Sequence, residues 1–237
     1  GCPVLDTDRA ADWAQDPDDP IDGRRLRYPG WDLEEMFFPA EISATAHLTL
    51  AAAPEGTLDV VSQTIRSAQH SLRIQAYTLE SVPLYQAIRD RIQSGVVVTI
   101  LLESQPAGGM EDVQRWIVQR LHNPPTSTVY FVGRIASRYR FQHSKFTLVD
   151  DRLALVSTDN LGENSMPSDC QDNGMAGHRG FVAVTDSPGA VARLAEIFRR
   201  DCDPAHHLDV APYDETYAPP AGFTPLPPPD WTTYTAL

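Results

Sequence analysis

The sequence predicts an α/β/α sandwich around a mixed β-sheet, and three observations carry that prediction. Helical and strand periodicities alternate from about Ala46 to Arg199. Residues 96–102 form an unbroken apolar run, as in a strand covered on both faces. Two short apolar stretches flank Asp150 and Asp151 as the arms of a hairpin would, which makes the sheet mixed. A chain of 237 residues is long enough to bury such a core, and no apolar run approaches the ~20 residues needed to span a bilayer.

Taken in order, residues 46–53 alternate loosely and read as a strand. Thr57 then stands where a cap would open a helix with Leu58, Val61, Ile65 and Ala68 on one face. Leu72, Ile74 and Ala76 alternate with Arg73, Gln75 and Tyr77, a strand pattern. Leu84, Ala87, Ile88 and Ile92 mark a second amphipathic helix that stops at Gly95. The apolar run 96–102 is the central strand, followed by a helix over 110–121 and a strand over 128–132. Residues 146–149 and 153–156 are the hairpin arms and 181–184 a further strand. The helix over 188–199 is opened by Ser187 as cap, with Pro188 at its first position.

Composition bounds the rest. Residues 1–40 are acidic and dotted with proline, an irregular lead-in or the remnant of an upstream region. The layered domain is expected over 41–209. Residues 210–237 read as a Pro-rich, semi-rigid linker. Within it Phe223-Thr224-Pro225 followed by residues 233–237 echoes Phe38-Pro39 and the first strand, as if a second repeat began there. Gly1-Cys2 is not the start of a translated chain, so the loss of a leader or of an upstream domain is the expectation, with an extracellular or cell-surface setting favoured over a cytoplasmic one. The cysteines Cys2, Cys170 and Cys202 match no zinc spacing; a Cys170–Cys202 disulfide and buried free thiols both fit.

The net charge of −13 repels nucleic acid and anionic lipid at long range, so a phosphate-bearing substrate must meet a local positive pocket. Of the 19 basic side chains only Lys145 is a lysine. It lies in the most informative segment, where His143 and Lys145, two residues apart on an expected strand, project from one sheet face. A neutral imidazole is nucleophilic near pH 7, and an ammonium beside it neutralises a phosphate oxygen without a metal. Thr158 and Asn160, also two apart and just beyond the next strand, add hydroxyl and amide donors to the same anion.

These residues resemble the signature of the phospholipase D superfamily, His-x-Lys-x4-Asp followed by a small pair and x-Asn. His143, Lys145, Asp150 and Asn160 match, with Ser157-Thr158 where Gly-Ser is usual. Residues 65–79 and 95–102 are similar to that domain's first helix, first strand and central strand, so the likeness covers about 46–203. The resemblance implies a phospholipase D-like fold and metal-independent phosphodiester hydrolysis of nuclease or phospholipase type, with no cofactor. His143 would attack phosphorus to give a phosphohistidine. Lys145, Thr158 and Asn160 would bind the phosphoryl oxygens, and Asp150 would order the lysine and the adjacent turn. A second histidine, from a homodimer partner or a second repeat, would protonate the leaving alcohol. A lone copy is then expected to be inactive or nearly so, and the rival reading is a non-catalytic module that kept the fold for binding or assembly.

One departure concerns the carboxylate that related nucleases often carry just before the strand after the motif, where this chain has His178-Arg179-Gly180. Arg179 there either binds phosphate or is a solvated cation. Arg134, Arg138 and Arg140 either line a substrate entrance or are idle loop charges. Asp201, Asp203, His206, His207 and Asp209 have metal-ligand chemistry, although the same residues suit a polar helix end. Gly108-Gly109, before a helix, either presents N–H groups to an anion or makes a turn.

Overall fold

The computed structural model describes residues 43–133, 138–167 and 177–226. Outside these lie the lead-in 1–40, Cys2, Cys170, Arg134 and the end of the tail with its echoed strand. Among the described residues eight strands and four α-helices follow one another as β1 (Leu48–Ala53), α1 (Thr57–Arg66), β2 (Ser71–Ala76), α2 (Val82–Gln93), β3 (Val97–Glu103), α3 (Asp112–Leu121), β4 (Ser127–Val132), β5 (Phe146–Val149), β6 (Leu153–Ser157), β7 (Gly180–Thr185), α4 (Pro188–Asp201) and β8 (Val210–Pro212). The strands form one sheet in the order β1-β7-β6-β5-β2-β3-β4-β8. Only β2, β3 and β4 are mutually parallel, because helical crossovers join them; every other pair is antiparallel.

The sheet is covered on both sides, as the apolar run of β3 requires. On one face Val61, Ile65, Leu84, Ile88, Ile117 and Leu121 of α1 to α3 pack against Leu72, Ile74, Val98, Ile100, Val129 and Phe131. On the other, Val191 and Phe198 of α4 pack against Leu101, Phe146, Leu148 and Ala154. Each fully buried Leu or Ile stabilises by about 2 kcal/mol. The α4 layer is short, and past its edge the strand residues Leu48, Leu50, Val156 and Phe181 are exposed. The register aligns Leu50 with Ala183 and Ala183 with Val156, so these residues form an apolar strip across β1, β7 and β6.

Local chemistry sets the ends of the elements. Ser187 Oγ accepts from Ala190 N at 3.3 Å with Pro188 in the first turn, as expected. Ser81 caps α2 in the same way. Gly95, at φ 88°, ends α2 in a conformation that disfavours any other residue. Helix α1 differs from expectation. Its cap is Gly56 at φ 75°, and Thr57 is the first helical residue, its hydroxyl buried without a hydrogen-bond partner among the described residues. The linker expectation for 210–237 is also corrected at its start. Val210–Pro212 pairs with β4, and Tyr217 stacks on Phe131 with ring centroids 3.9 Å apart. Composition marked this segment as proline-rich, but a short edge strand, the aromatic contacts of Tyr213 and Tyr217 and a bond from Arg115 to Thr216 O attach it to the core. No described helix is long and apolar enough to cross a membrane.

Candidate functional site

The segment 141–145 has no regular secondary structure and precedes β5 rather than belonging to it, so the strand expected to carry His143 and Lys145 begins one residue after them. One further bond, Ser157 N to Lys145 O at 2.9 Å, continues the β5–β6 ladder to Lys145. Polar groups at the ends of apolar strands hold the segment from below. Gln142 is buried; its N donates to Glu103 Oε2 at 2.8 Å and its Nε2 to Ala76 O at 2.9 Å. Its Oε1 accepts from both the N and Oγ of Ser144. Gln75 Nε2 donates to Ser144 Oγ at 2.9 Å and to Asp201 Oδ2 at 2.7 Å, and Tyr139 OH donates to Asp201 Oδ1. Burial raises the Glu103 carboxyl above its ordinary value, against the backbone N–H groups that donate to it. Gln75, Glu103 and Gln142 had no site role in the sequence reading, and Asp201 had only that of a candidate metal ligand. Their one signal is a polar residue within or closing an apolar stretch.

On this support the two motif residues meet. Lys145 Nζ donates to His143 O at 2.8 Å and lies 3.0 and 3.1 Å from the two ring nitrogens, of which only the unprotonated one can accept. The His143 ring lies 4.8 Å from that of Tyr77, and the ammonium is 5.5 Å from the Tyr77 ring centre. The Tyr77 hydroxyl accepts from Ala107 N. His143 is exposed while Lys145 is buried. Burial and then the Lys145 charge push the His143 imidazole below its ordinary value. Burial likewise lowers Lys145, opposed by the negative charge of Asp159. The arrangement therefore keeps a neutral, solvent-facing imidazole against a cation, the combination suited to attack at a phosphorus atom.

A cleft of about 370 Å³ opens here, lined among others by His143, Lys145, Ser157, Thr158, Leu194 and Ile197. Thr158 reaches it, but its hydroxyl also accepts from Phe181 N at 2.9 Å, extending the β6–β7 pairing. Asn160 follows, half-buried, beside Leu161, which bridges to Leu79 three residues beyond β2. Asp150 is elsewhere. Its carboxylate accepts from Gln69 N, His70 N and Ser71 N at 2.8–2.9 Å, at the far end of β5. The expectation that it orders Lys145 is corrected, because a four-residue buried strand separates the two.

The remaining candidates also find their places. Arg138 does not line an entrance. Its guanidinium is buried, bonds Asp209 at 3.0 Å and donates to the carbonyls of Arg200 and Asp201. Arg179 pairs with Glu55 at 2.9 Å on the surface. Asp203 pairs with His206, Asp201 with Gln75 and Tyr139, and Asp209 with Arg138. Among the described residues no group of three metal-ligating side chains gathers. Gly109 N closes a turn onto Pro106 O ahead of α3. Cys202 is a free thiol that burial, and then nearby carboxylates, push up to about 12. At the start of β7, where the resemblance leads one to expect a carboxylate, stands Gly180 with the Asp159 carboxylate lying over it.

Comparison with known proteins agrees with this architecture. The family described as "Cardiolipin synthase, PLD-like domain" matches residues 61–202, more than half of the chain. Among solved structures, the phospholipase D family member Nuc from Salmonella typhimurium superposes with a TM-score of 0.57 at 17% identity, covering 71% of this chain and 99% of that one. NucT from Helicobacter pylori superposes with a TM-score of 0.55 at 15% identity, covering 66% and 96%. No curated protein matches the chain.

Proposed function

The chain belongs to the phospholipase D-like family, and from that premise we propose that it hydrolyses phosphodiesters by a metal-independent, two-step route. The observation that carries this reading is the contact between the Lys145 ammonium and the His143 ring at the mouth of the cleft. His143 attacks phosphorus through its unprotonated nitrogen, forming an N–P bond as the P–O bond to the leaving alkoxide breaks. Lys145, with donors from Thr158 and Asn160, offsets the charge growing on the non-bridging oxygens. The alkoxide takes its proton from a second histidine, which then activates the water that releases the remaining phosphate monoester from His143.

That second histidine comes from another copy of the motif, since no other lysine exists to complete one within these 237 residues. The exposed strip of Leu48, Leu50, Val156 and Phe181 reaches the cleft through Val156 and offers a second copy, or a second repeat, an apolar face beside the site. The substrate reading is nuclease-like, supported by fold likeness to Nuc and NucT, with phospholipid as the competing substrate class.

The test incubates the chain, alone and with a second motif supplied, with bis-p-nitrophenyl phosphate, DNA and phosphatidylcholine, each with and without EDTA, and quenches the reaction to trap phosphohistidine. Hydrolysis that needs two copies of the motif and is indifferent to the chelator, with label on His143, is expected. Activity lost with EDTA overturns the route. Intact substrates throughout, even with a second motif supplied, favour the non-catalytic module.

A further inference from the structure

A nucleophile has to be aimed as well as neutral. A carboxylate or carbonyl on the second ring nitrogen often aims a histidine, but among the described residues the His143 ring meets neither. Its nitrogens lie 3.0 and 3.1 Å from Lys145 Nζ, and its centre lies 4.8 Å from that of Tyr77. The start of β7, where such a carboxylate was expected, holds Gly180. The backbone that carries the imidazole therefore has to set its direction.

That backbone is gripped from the residue before. Gln142 is 4% exposed, and its carboxamide reaches past His143 to Ser144: Oε1 accepts from Ser144 N and from Ser144 Oγ, both at 2.7 Å. A side-chain oxygen accepting from the main chain two residues on is the arrangement of an Asx turn, here with an arm one methylene longer. The other end of the amide is fixed as well, because Nε2 donates at 2.9 Å to the carbonyl of Ala76, the last residue of β2. Gln142 N donates at 2.8 Å to Glu103, the last residue of β3, whose other oxygen accepts from Gln105 N. Ser144 Oγ in turn accepts from Gln75 Nε2 at 2.9 Å. The ends of two adjacent strands thus hold the residues on both sides of His143.

Polarity makes the amide specific. Ala76 O can only accept and Ser144 N can only donate, so the carboxamide has one orientation. A carboxylate of the same shape would set an oxygen against Ala76 O, and a thioether would leave both partners unmet. We propose that Gln142 is a positioning residue: its buried carboxamide, anchored on Ala76 O and closed onto Ser144, turns the His143 ring to Tyr77 and the His143 carbonyl to Lys145 Nζ, doing through the backbone what a carboxylate on the imidazole would do directly. The 2.8 Å bond from Nζ to that carbonyl means that the same setting also seats the lysine. The inference deepens the reading of His143 as nucleophile and rests on it only for its catalytic consequence.

Because the chain has a single lysine, ε-¹³C-lysine labelling of the full chain gives one signal, that of Lys145, whose shift reports the Tyr77 and His143 rings beside it without any substrate. Gln142→Met, close in size and unable to make these bonds, is expected to move the signal toward that of free lysine. With a second motif supplied, it is also expected to lower kcat for bis-p-nitrophenyl phosphate about 10²-fold, with KM within a few-fold. Ser144→Ala, which removes only the Oγ bonds, is expected to do the same by less. Ile65→Val, which costs stability alone in the α1 layer, leaves signal and kcat in place. A Gln142→Met signal equal to the parent's, or a displaced one with kcat unchanged in an active chain, overturns the proposal. Should that variant not fold, Ser144→Ala decides in its place. A displaced signal in a protein whose parent hydrolyses nothing sinks the hydrolase reading and leaves the clamp standing.

Discussion

The two ends of β5 belong to one sequence motif and do opposite work. At its N-terminal end His143 and Lys145 turn their polar atoms toward each other and a cleft. At its C-terminal end Asp150 turns its carboxylate inward to three backbone N–H groups of the α1–β2 turn. The four residues between, Phe146–Val149, are all buried, and five residues of extended chain place Asp150 roughly 16 Å from Lys145. A motif with constant spacing is here a reactive end and an anchored end joined by a rigid strand. The anchor matters because it ties β5 to the start of β2, where Leu72 faces Val149. A slip of one residue would turn His143 and Lys145 to the wrong face.

Substitutions at three positions sharpen that contrast, beginning with the largest expected effect. His143→Ala lowers phosphodiester turnover by roughly 10³-fold or more while leaving the melting temperature close to the parent's, because the ring is exposed. Turnover and thermal melts on the same preparations check both halves, and a variant that unfolds without losing turnover breaks the contrast.

Asp150→Ala should do the reverse, costing about 2 kcal/mol in urea unfolding as the backbone donors lose their acceptor, with turnover per folded molecule within a few-fold of the parent. A pH series adds a second reading. Burial alone would raise the Asp150 carboxyl, but the donors from Ser71, Gln69 and His70 outweigh it and hold the group below its ordinary value. A carboxyl depressed by folding contributes stability that is present above its unfolded value and is lost as pH falls through the folded one. The parent therefore loses this contribution below about pH 4, and Asp150→Asn shows no such component.

The smallest effect is at the reactive end. Burial and the Lys145 charge both lower the His143 imidazole, so Lys145→Met removes one of the two causes. The midpoint of His143 followed by NMR then moves upward, toward the ordinary 6.5, while Asp150→Asn leaves it unmoved. Equal shifts from the two variants would mean that the ends of β5 are electrically one site.

How much of this was legible beforehand follows from the range of the forces involved. Alternation of apolar and polar residues, proline and serine at helix starts, and an unbroken apolar run are local consequences of burying one face or both, so the layered α/β order could be read along the chain. The pairing of His143 with Lys145 was legible for the same reason, since a spacing of two beside a strand brings side chains to one side. What joins residues far apart in sequence was not. Gln75 reaching Asp201, Tyr217 covering Phe131, Asp150 tying the turn before β2 and Asp159 filling the space above Gly180 each depend on strand order and register. These are settled only when the whole sheet closes, because composition records which groups must be satisfied and the tertiary fold alone decides by whom.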